Sequence, residues 1–242
     1  MAQIDEIAPE VYRISIYVPQ IDMQFNHFLI RDDEPLLYHA GLRAMFPEMK
    51  EAVSRLLDPS LLRWIGFSHF ESDECGALNE WLTAAPNATA VTGLVGALVN
   101  VNDFALRPAK ALQEGDILTT GSKRFRHIRT PHVPHGWDAG LLFEETGKTL
   151  FTSDLFHQNG DVEALTEASL ADRCRDLLRG MNQGPLADYI PYSTGTERIL
   201  NNLAALGPAT LATMHGSSFR GDGRKAIQEL GEIWKEELSQ DS

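Results

Sequence analysis

Short apolar runs that stop at a histidine or an aspartate recur along this chain, and they restrict its fold more than any other feature. The run LLRWIGF leads into SHFESDECGAL at residues 68–78; KTLFTS stops at Asp154, ATLATM at His215, and His135 follows a run that ends near Arg129. A buried segment normally ends in whatever turns the chain, for which Ser or Asn suffices. Four segments that end in metal-ligating side chains instead predict a rigid sheet displaying chemistry on the loops that leave its strands.

The remaining patterning supplies that sheet. EVYRISIYV, NHFLIRD and EPLLYHAG are rich in β-branched and aromatic residues and are separated by Pro or acidic breaks, which predicts an N-terminal β-meander. From Ala44 the period changes: Met45, Met49, Ala52, Val53, Leu56 and Leu57 recur at three and four residues until Asp58-Pro59 stops the helix. A strand RWIGFS, a helix over roughly 74–84, a strand NATAVTG, a short apolar helix and strands near DILTT and RFRHIRT come next. AGLLFEETGKTLFTSD reads as a hairpin turning at Thr-Gly. Helices are expected over about 166–180 and 195–206, then a strand ATLATMH and a last helix with Ala226, Ile227, Leu230, Ile233 and Trp234 on one face. This is a layered α/β architecture with helices outside the sheets. A length of 242 residues suits one large domain or two small ones.

Composition removes several classes of function. The 34 acids against 21 bases give a formal charge of −13, which repels a phosphate backbone and argues against nucleic-acid and anionic-membrane partners. The start, MAQIDEIAPE, lacks the basic and apolar stretches of a signal peptide, and the longest apolar run, AVTGLVGALVNV, is too short to cross a bilayer. A cytoplasmic location is therefore expected. Cys75 and Cys174 stand too far apart for a disulfide framework or zinc ribbon to be read, and are expected as buried, reduced thiols.

With residues 69–71 extended, His69 and Glu71 project to one side and can reach one ion. Asp73 can then address a second ion, and the two oxygens of Asp154 can bridge the pair. Anionic ligands are what make two neighbouring divalent cations tolerable. Each residue has a plainer explanation on its own: Asp73 as a helix cap, Glu71 and Glu74 as first-turn acids favoured by the helix dipole, and His69, His135 and His215 as packed histidines. Jointly these explanations require five independent coincidences of type and spacing, and the metal reading prevails.

The motif HFESD at 69–73, followed by HGWD at 135–138, SD at 153–154 and HG at 215–216, with intervals of 62, 19 and 61 residues, resembles the metallo-β-lactamase fold. Within that fold it is similar to the flavodiiron and oxygen-binding diiron branch. Hydrolases of the fold usually carry H-x-H-x-D-H whereas the diiron branch carries H-x-E-x-D-H, so Glu71 is the discriminating residue. The resemblance covers nearly the whole chain, with YHAG standing where an Asp-Thr-Gly-like turn is usual. It implies a four-layer αβ/βα sandwich, a single domain over 1–242, two iron ions (zinc or manganese being the alternatives) and a head-to-tail homodimer. Carried over, His69, Glu71 and His135 would hold the first iron, Asp73 and His215 the second, with Asp154 bridging. The branch's last motif histidine is replaced by Glu74, for which ligation of the second metal and a place as an exposed acid are evenly balanced. As a ligand it would favour the harder, oxidised iron and lower the reduction potential.

Other residues are open between two roles. His157, in DLFHQNGD, is expected either at the substrate mouth, hydrogen-bonding a ligand carboxylate, or on the surface. Trp137 belongs with Trp64, Trp81 and Trp234 at core spacing, or helps exclude water from the metals. His27 and His39 read as packed strand histidines that can approach the site, His127 as structural, and His132 as a substitute for His135 were the strand end misplaced; Tyr192 has no assigned role. STGT at 193–196 is similar to a flavodoxin phosphate loop, but it follows ADYIPY and only 46 residues remain after it, so it is read as capping the next helix and no flavin is expected in this chain. GSSFRGDGR lacks the Walker Lys-Ser/Thr and is read as the loop after His215, with Arg220 near the pocket. The leading function is a non-haem diiron protein that binds dioxygen, either sensing it or reducing it or nitric oxide with electrons from an external flavin or rubredoxin-type donor. The alternative is a dinuclear hydrolase of an ester or phosphodiester, and a third reading is a binding protein with a relic site.

Overall fold

Alternation along the strands sorts the apolar side chains of this chain into three layers, and four structural layers follow from that sorting. A computed structural model describes residues 1–239. The first sheet contains β1 (Gln3–Ala8), β2 (Val11–Val18), β3 (Met23–Ile30), β4 (Leu36–Tyr38), β5 (Trp64–Gly66), β6 (Thr89–Gly93) and β7 (Lys110–Leu112), adjacent in chain order. The meander β1–β4 is antiparallel and β4–β7 are parallel. Parallel neighbours need crossovers, which contain the helices Phe46–Ser54 and Leu78–Ala84 and the helical stretch from Leu94 to Phe104. The second sheet contains β8 (Ile117–Thr119), β9 (Arg124–Arg129), β10 (Gly140–Glu144), β11 (Thr149–Ser153), β12 (Leu165–Thr166), β13 (Thr210–Thr213) and β14 (Ser218–Arg220), in the spatial order β12-β14-β13-β11-β10-β9-β8.

Between the sheets lie Phe28, Tyr38, Trp64, Phe125, Leu142 and Phe151. Outside the first sheet, Ile14, Leu29, Leu37 and Ile65 pack on Met49, Val53, Leu78 and Trp81 of its helices. Outside the second, Leu141, Phe143 and Leu150 meet Leu178, Leu203, Leu230 and Trp234 from the helices Ala171–Asn182, Thr196–Ala205 and Gly223–Leu238. Leu141 and Leu142 thus serve opposite faces of one strand, as a pleated strand requires. The result is the expected four-layer αβ/βα sandwich.

Several elements depart from the sequence reading. β1, β7 and β12 were not anticipated, and GSSFRGDGR holds β14 instead of a plain loop; Arg220 donates to the Ile7 carbonyl at 2.7 Å, on the β1 side and outside the donor groups described below. The helix expected from 166 begins at Ala171, because Leu165 and Thr166 pair with β14. The helix expected over 74–84 is two pieces, Ser72–Cys75 and Leu78–Ala84. Gly195, not Ser193 or Thr194, is the N-cap of Thr196–Ala205; Ser193 Oγ accepts from the Gly195 amide and so holds the preceding turn. No helix among the described residues is long and apolar enough to cross a membrane.

Candidate metal centre

β5 sits inside the first sheet and hands the chain to a loop that carries His69 and Glu71, then to the short helix Ser72–Cys75 that carries Asp73. Glu71 itself is extended (φ −141°, ψ 157°), but residues 68–70 bend and Glu71 N donates to the His69 carbonyl at 3.1 Å, so the two side chains meet as expected through a tight turn and not through the extended run that the sequence predicts. In the second sheet, the parallel neighbours β11 and β13 release Asp154 and His215 side by side. Their register shifts between Phe151 and Ser153, and Ser153 adopts φ +50°. A left-handed non-glycine residue costs on the order of 1 kcal/mol, and here it re-aims the chain one residue before Asp154. The loop after β9 brings His135 in, and is fastened to the other sheet by Gly140 N to Ser68 O (3.0 Å) and Phe70 N to Asp138 Oδ2 (3.1 Å).

Two donor groups result. In the first, His69, Glu71, His135 and Asp154 each bring a ligand atom within 4.8 Å of the others; in the second, Asp73, Asp154 and His215 do. His135 Nε2 lies 2.9 Å from Asp154 Oδ2 and 3.3 Å from Glu71 Oε2, and His69 Nε2 lies 3.1 Å from Glu71 Oε2. Across the pair, His215 Nε2 is 3.3 Å from both Asp73 Oδ2 and Asp154 Oδ1. Asp154 therefore turns one oxygen to each group. All six residues assigned as ligands from the sequence are brought together. Asp73 does not cap a helix, since the N-cap position is Glu71 and makes no side-chain cap bond.

The set fits a pair of cations. Asp73 Oδ1 is buried without a hydrogen-bond partner, Asp154 Oδ1 meets only His215 Nε2 at 3.3 Å, and nitrogen with carboxylate oxygen is the donor chemistry of iron, manganese and zinc. The ring nitrogens away from the centre are fixed: His69 Nδ1 contacts Ser68 Oγ at 2.7 Å and His215 Nδ1 the Gln24 carbonyl at 2.9 Å, which leaves both Nε2 atoms for the centre. Burial alone would lower both imidazoles. For His69 the hydrogen bond to Glu71 with the charges of Glu74 and Asp154, and for His215 the hydrogen bonds to Asp154 and Asp73, outweigh it and push each up to about 10. Asp154, which burial would raise, is held well below the usual carboxylate range by His135 and His215. Cations arriving here would displace the imidazole protons.

Glu74 takes neither role foreseen for it. It is fully buried, so it is no exposed acid, and it lies outside both donor groups. Oε2 accepts from His39 Nδ1 (2.6 Å) and Ser68 N (3.0 Å), and Oε1 from Ser68 Oγ (2.9 Å) and Ser153 Oγ (2.6 Å). Burial would raise this carboxyl, but His39 and His69 draw it down to about 2. It lies behind His69, which it reaches through Ser68 and by the approach of Oε1 to His69 Nδ1 at 3.7 Å. His157 is buried, not on the surface, and its ring stacks on His215. Trp137 is 49% exposed and no core residue, unlike Trp64, Trp81 and Trp234. His127 is buried and bonded to the Gln113 carbonyl, His132 is exposed, and both cysteines are buried free thiols.

Sequence reasoning missed Tyr189. Its hydroxyl lies 2.7 Å from His135 Nε2 and 3.1 Å from Glu71 Oε2, over the first group, while Tyr192, three residues on, donates to Glu197. Tyr189 comes from an irregular loop with no periodicity to flag it.

Two adjoining donor groups in the seam of an αβ/βα sandwich define a metallo-β-lactamase-fold protein with a candidate two-metal site. A family model described as ODP family beta lactamase matches residues 23–216, and the chain belongs to that family. Among curated relatives, a rubredoxin-oxygen oxidoreductase of Megalodesulfovibrio gigas is 24% identical over 203 residues, covering 81% of this chain and 49% of the relative. An anaerobic nitric oxide reductase flavorubredoxin of Salmonella arizonae is 25% identical over 228 residues, covering 90% and 46%. A crystal structure of a Thermotoga maritima flavoprotein superposes with a TM-score of 0.80 at 18% identity, over 97% of this chain and 62% of that one. The chain thus spans about half the length of the two curated relatives.

Proposed function

We propose that this protein is a non-haem diiron oxidoreductase that reduces dioxygen or nitric oxide, with residues 1–242 acting as one domain fed by a separate flavin or rubredoxin-type donor. The observation that carries this reading is Glu71 inside the first donor group, where a carboxylate makes the set harder and more anionic than a second imidazole would. The printed names of the two curated relatives, an oxygen oxidoreductase and a nitric oxide reductase, support the same chemistry.

Two iron ions bound there would supply the redox chemistry, taking electrons from the donor and passing them to the substrate. His69, Glu71, His135 and Asp154 would hold one, and Asp73, Asp154 and His215 the other. Ser68 and the Gln24 carbonyl keep the Nδ1 protons of His69 and His215 directed away from the centre. Burial, together with the charges of Asp154 and Glu71, raises the Tyr189 hydroxyl and keeps it a proton-bearing donor. Its place over His135 and Glu71 suits it to hydrogen-bond a small substrate at Oη. Phe70, between His69 and Glu71, and Trp137, two residues after His135, are each about half exposed and offer an apolar rim for the electron donor. A cytoplasmic homodimer belongs to the same proposal.

Protein loaded with iron and supplied with a reduced rubredoxin or flavoprotein is expected to consume dioxygen or nitric oxide over many turnovers. A single stoichiometric uptake without turnover would support oxygen sensing instead. Metal-dependent cleavage of chromogenic esters with no electron donor present would replace the proposal with a hydrolase.

A further inference from the structure

The second donor group is one ligand poorer than the first. Asp73, Asp154 and His215 offer three atoms against four from His69, Glu71, His135 and Asp154, and Glu74 has its carboxylate committed to His39, Ser68 and Ser153. Beside that group stands His157. Its ring stacks on His215 with centroids 4.2 Å apart and planes 24° apart, and it is 7% exposed. Neither ring nitrogen has a hydrogen-bond partner, although a buried unmet polar group costs about 1–3 kcal/mol. Packed histidines of this chain do better: His27 and His127 each set one nitrogen on a backbone carbonyl.

Two further observations concern the place of His157 beside the centre. Phe156, just before it, holds φ +63°, a left-handed conformation in a bulky residue that structures tolerate mainly where function fixes the chain. A small cavity of ≈ 10 Å³ is lined by both Asp154 and His157; that is close to the room one water-sized body needs. The other groups on its wall, among them Cys174, Leu177, Leu178 and Trp234, are apolar or a thiol that burial keeps protonated.

We propose that His157 is the fourth ligand of the second metal ion, supplying the imidazole that Glu74 does not. Its nitrogens stand beside, not within, the set of atoms lying inside 4.8 Å of one another, so ligation requires the ring to turn about its two side-chain torsions. This rests on the two-ion reading above, and the test separates the failure of one from the failure of the other.

The whole protein, stripped of metal, is titrated anaerobically with cobalt(II), followed by absorption and by elemental count after dialysis. Wild type is expected to take up two ions. His157→Asn and His157→Leu are expected to bind the first ion as wild type does and the second about 10- to 100-fold more weakly. The leucine variant, which removes a buried group without partners, should unfold no earlier than wild type in the stripped state. Second-ion affinity equal to wild type in a folded variant overturns the proposal while the two-ion reading stands. Uptake of fewer than two ions by wild type sinks both. Should neither variant fold, proton spectra of cobalt-loaded wild type decide: a shifted, exchangeable imidazole resonance from His157 is expected beside those of His69, His135 and His215, and its absence overturns the proposal.

Discussion

Glu74 carries a negative charge with no exposure to water, and two serines and a histidine are arranged to hold it. Its effect on the centre reaches His69 through Ser68 and through its own charge, Oε1 lying 3.7 Å from His69 Nδ1. Glu74→Gln is therefore expected to weaken the first ion about 10- to 100-fold. Ser68→Ala should do much the same, and the double variant should lose less than the sum because both cut one path; anaerobic iron(II) titration reads all three. Tyr189→Phe is expected to leave both ion affinities and the unfolding temperature near wild type while lowering turnover by about 10²-fold or more if the hydroxyl delivers a proton, measured as gas consumption at saturating donor. At this scale the six ligands were legible because chemistry repeated at strand ends. Glu74 was misread because four helical residues do not reveal which face is inward, and Trp137 because a spacing shared with core tryptophans does not fix burial. Tyr189 had no pattern around it to read.

Elements with a strong period were legible and short ones were not. The hairpin β10–β11 turns at Thr146-Gly147 as predicted, and the face Ala226, Ile227, Leu230, Ile233 and Trp234 is buried in full. β12 and β14 have two and three residues, too few to establish an alternation, and they exist because a neighbouring strand offers them hydrogen bonds. β1 was missed because its QIDEIA is acidic and only its last two residues are buried. The turn after β13 shows how tightly an element end can be specified. Gly216 has φ +96°, a Cβ there would stand 2.6 Å from the Gln158 side chain, and its carbonyl accepts from Asn26 (2.7 Å) and Arg13 (3.1 Å). Gly216→Ala is expected to cost about 1–2 kcal/mol from backbone strain alone, with more from the clash, and to weaken the second ion by shifting His215; denaturant unfolding and metal titration measure the two effects separately.

At the scale of the molecule, three apolar layers hold two sheets together, and buried histidines make that assembly sensitive to acid. His27 is fully buried, and burial lowers it to about 3 from 6.5. Between those values the unfolded chain binds a proton that the folded chain does not, so stability falls as pH drops through this window, by about 1.4 kcal/mol per unit from this one group. His27→Asn, if it folds, is expected to flatten that part of the stability curve; urea midpoints from pH 7 to 4 test it. The four-layer arrangement was readable from alternating runs and interposed helices. The crossing of contacts between sheets, such as Asn26 N to the Met214 carbonyl at 2.8 Å, was not, because it joins residues with no shared local pattern. His69, Glu71 and Asp73 leave the first sheet, whereas His135, Asp154 and His215 leave the second. Any cation seated among them is therefore a rivet driven through two plates. Withdrawing it with a chelator would lower the melting point, by the equivalent of about 2.7 kcal/mol where free metal stood at roughly a hundred times its dissociation constant, and would leave the rim where these loops meet the first part of the protein to breathe.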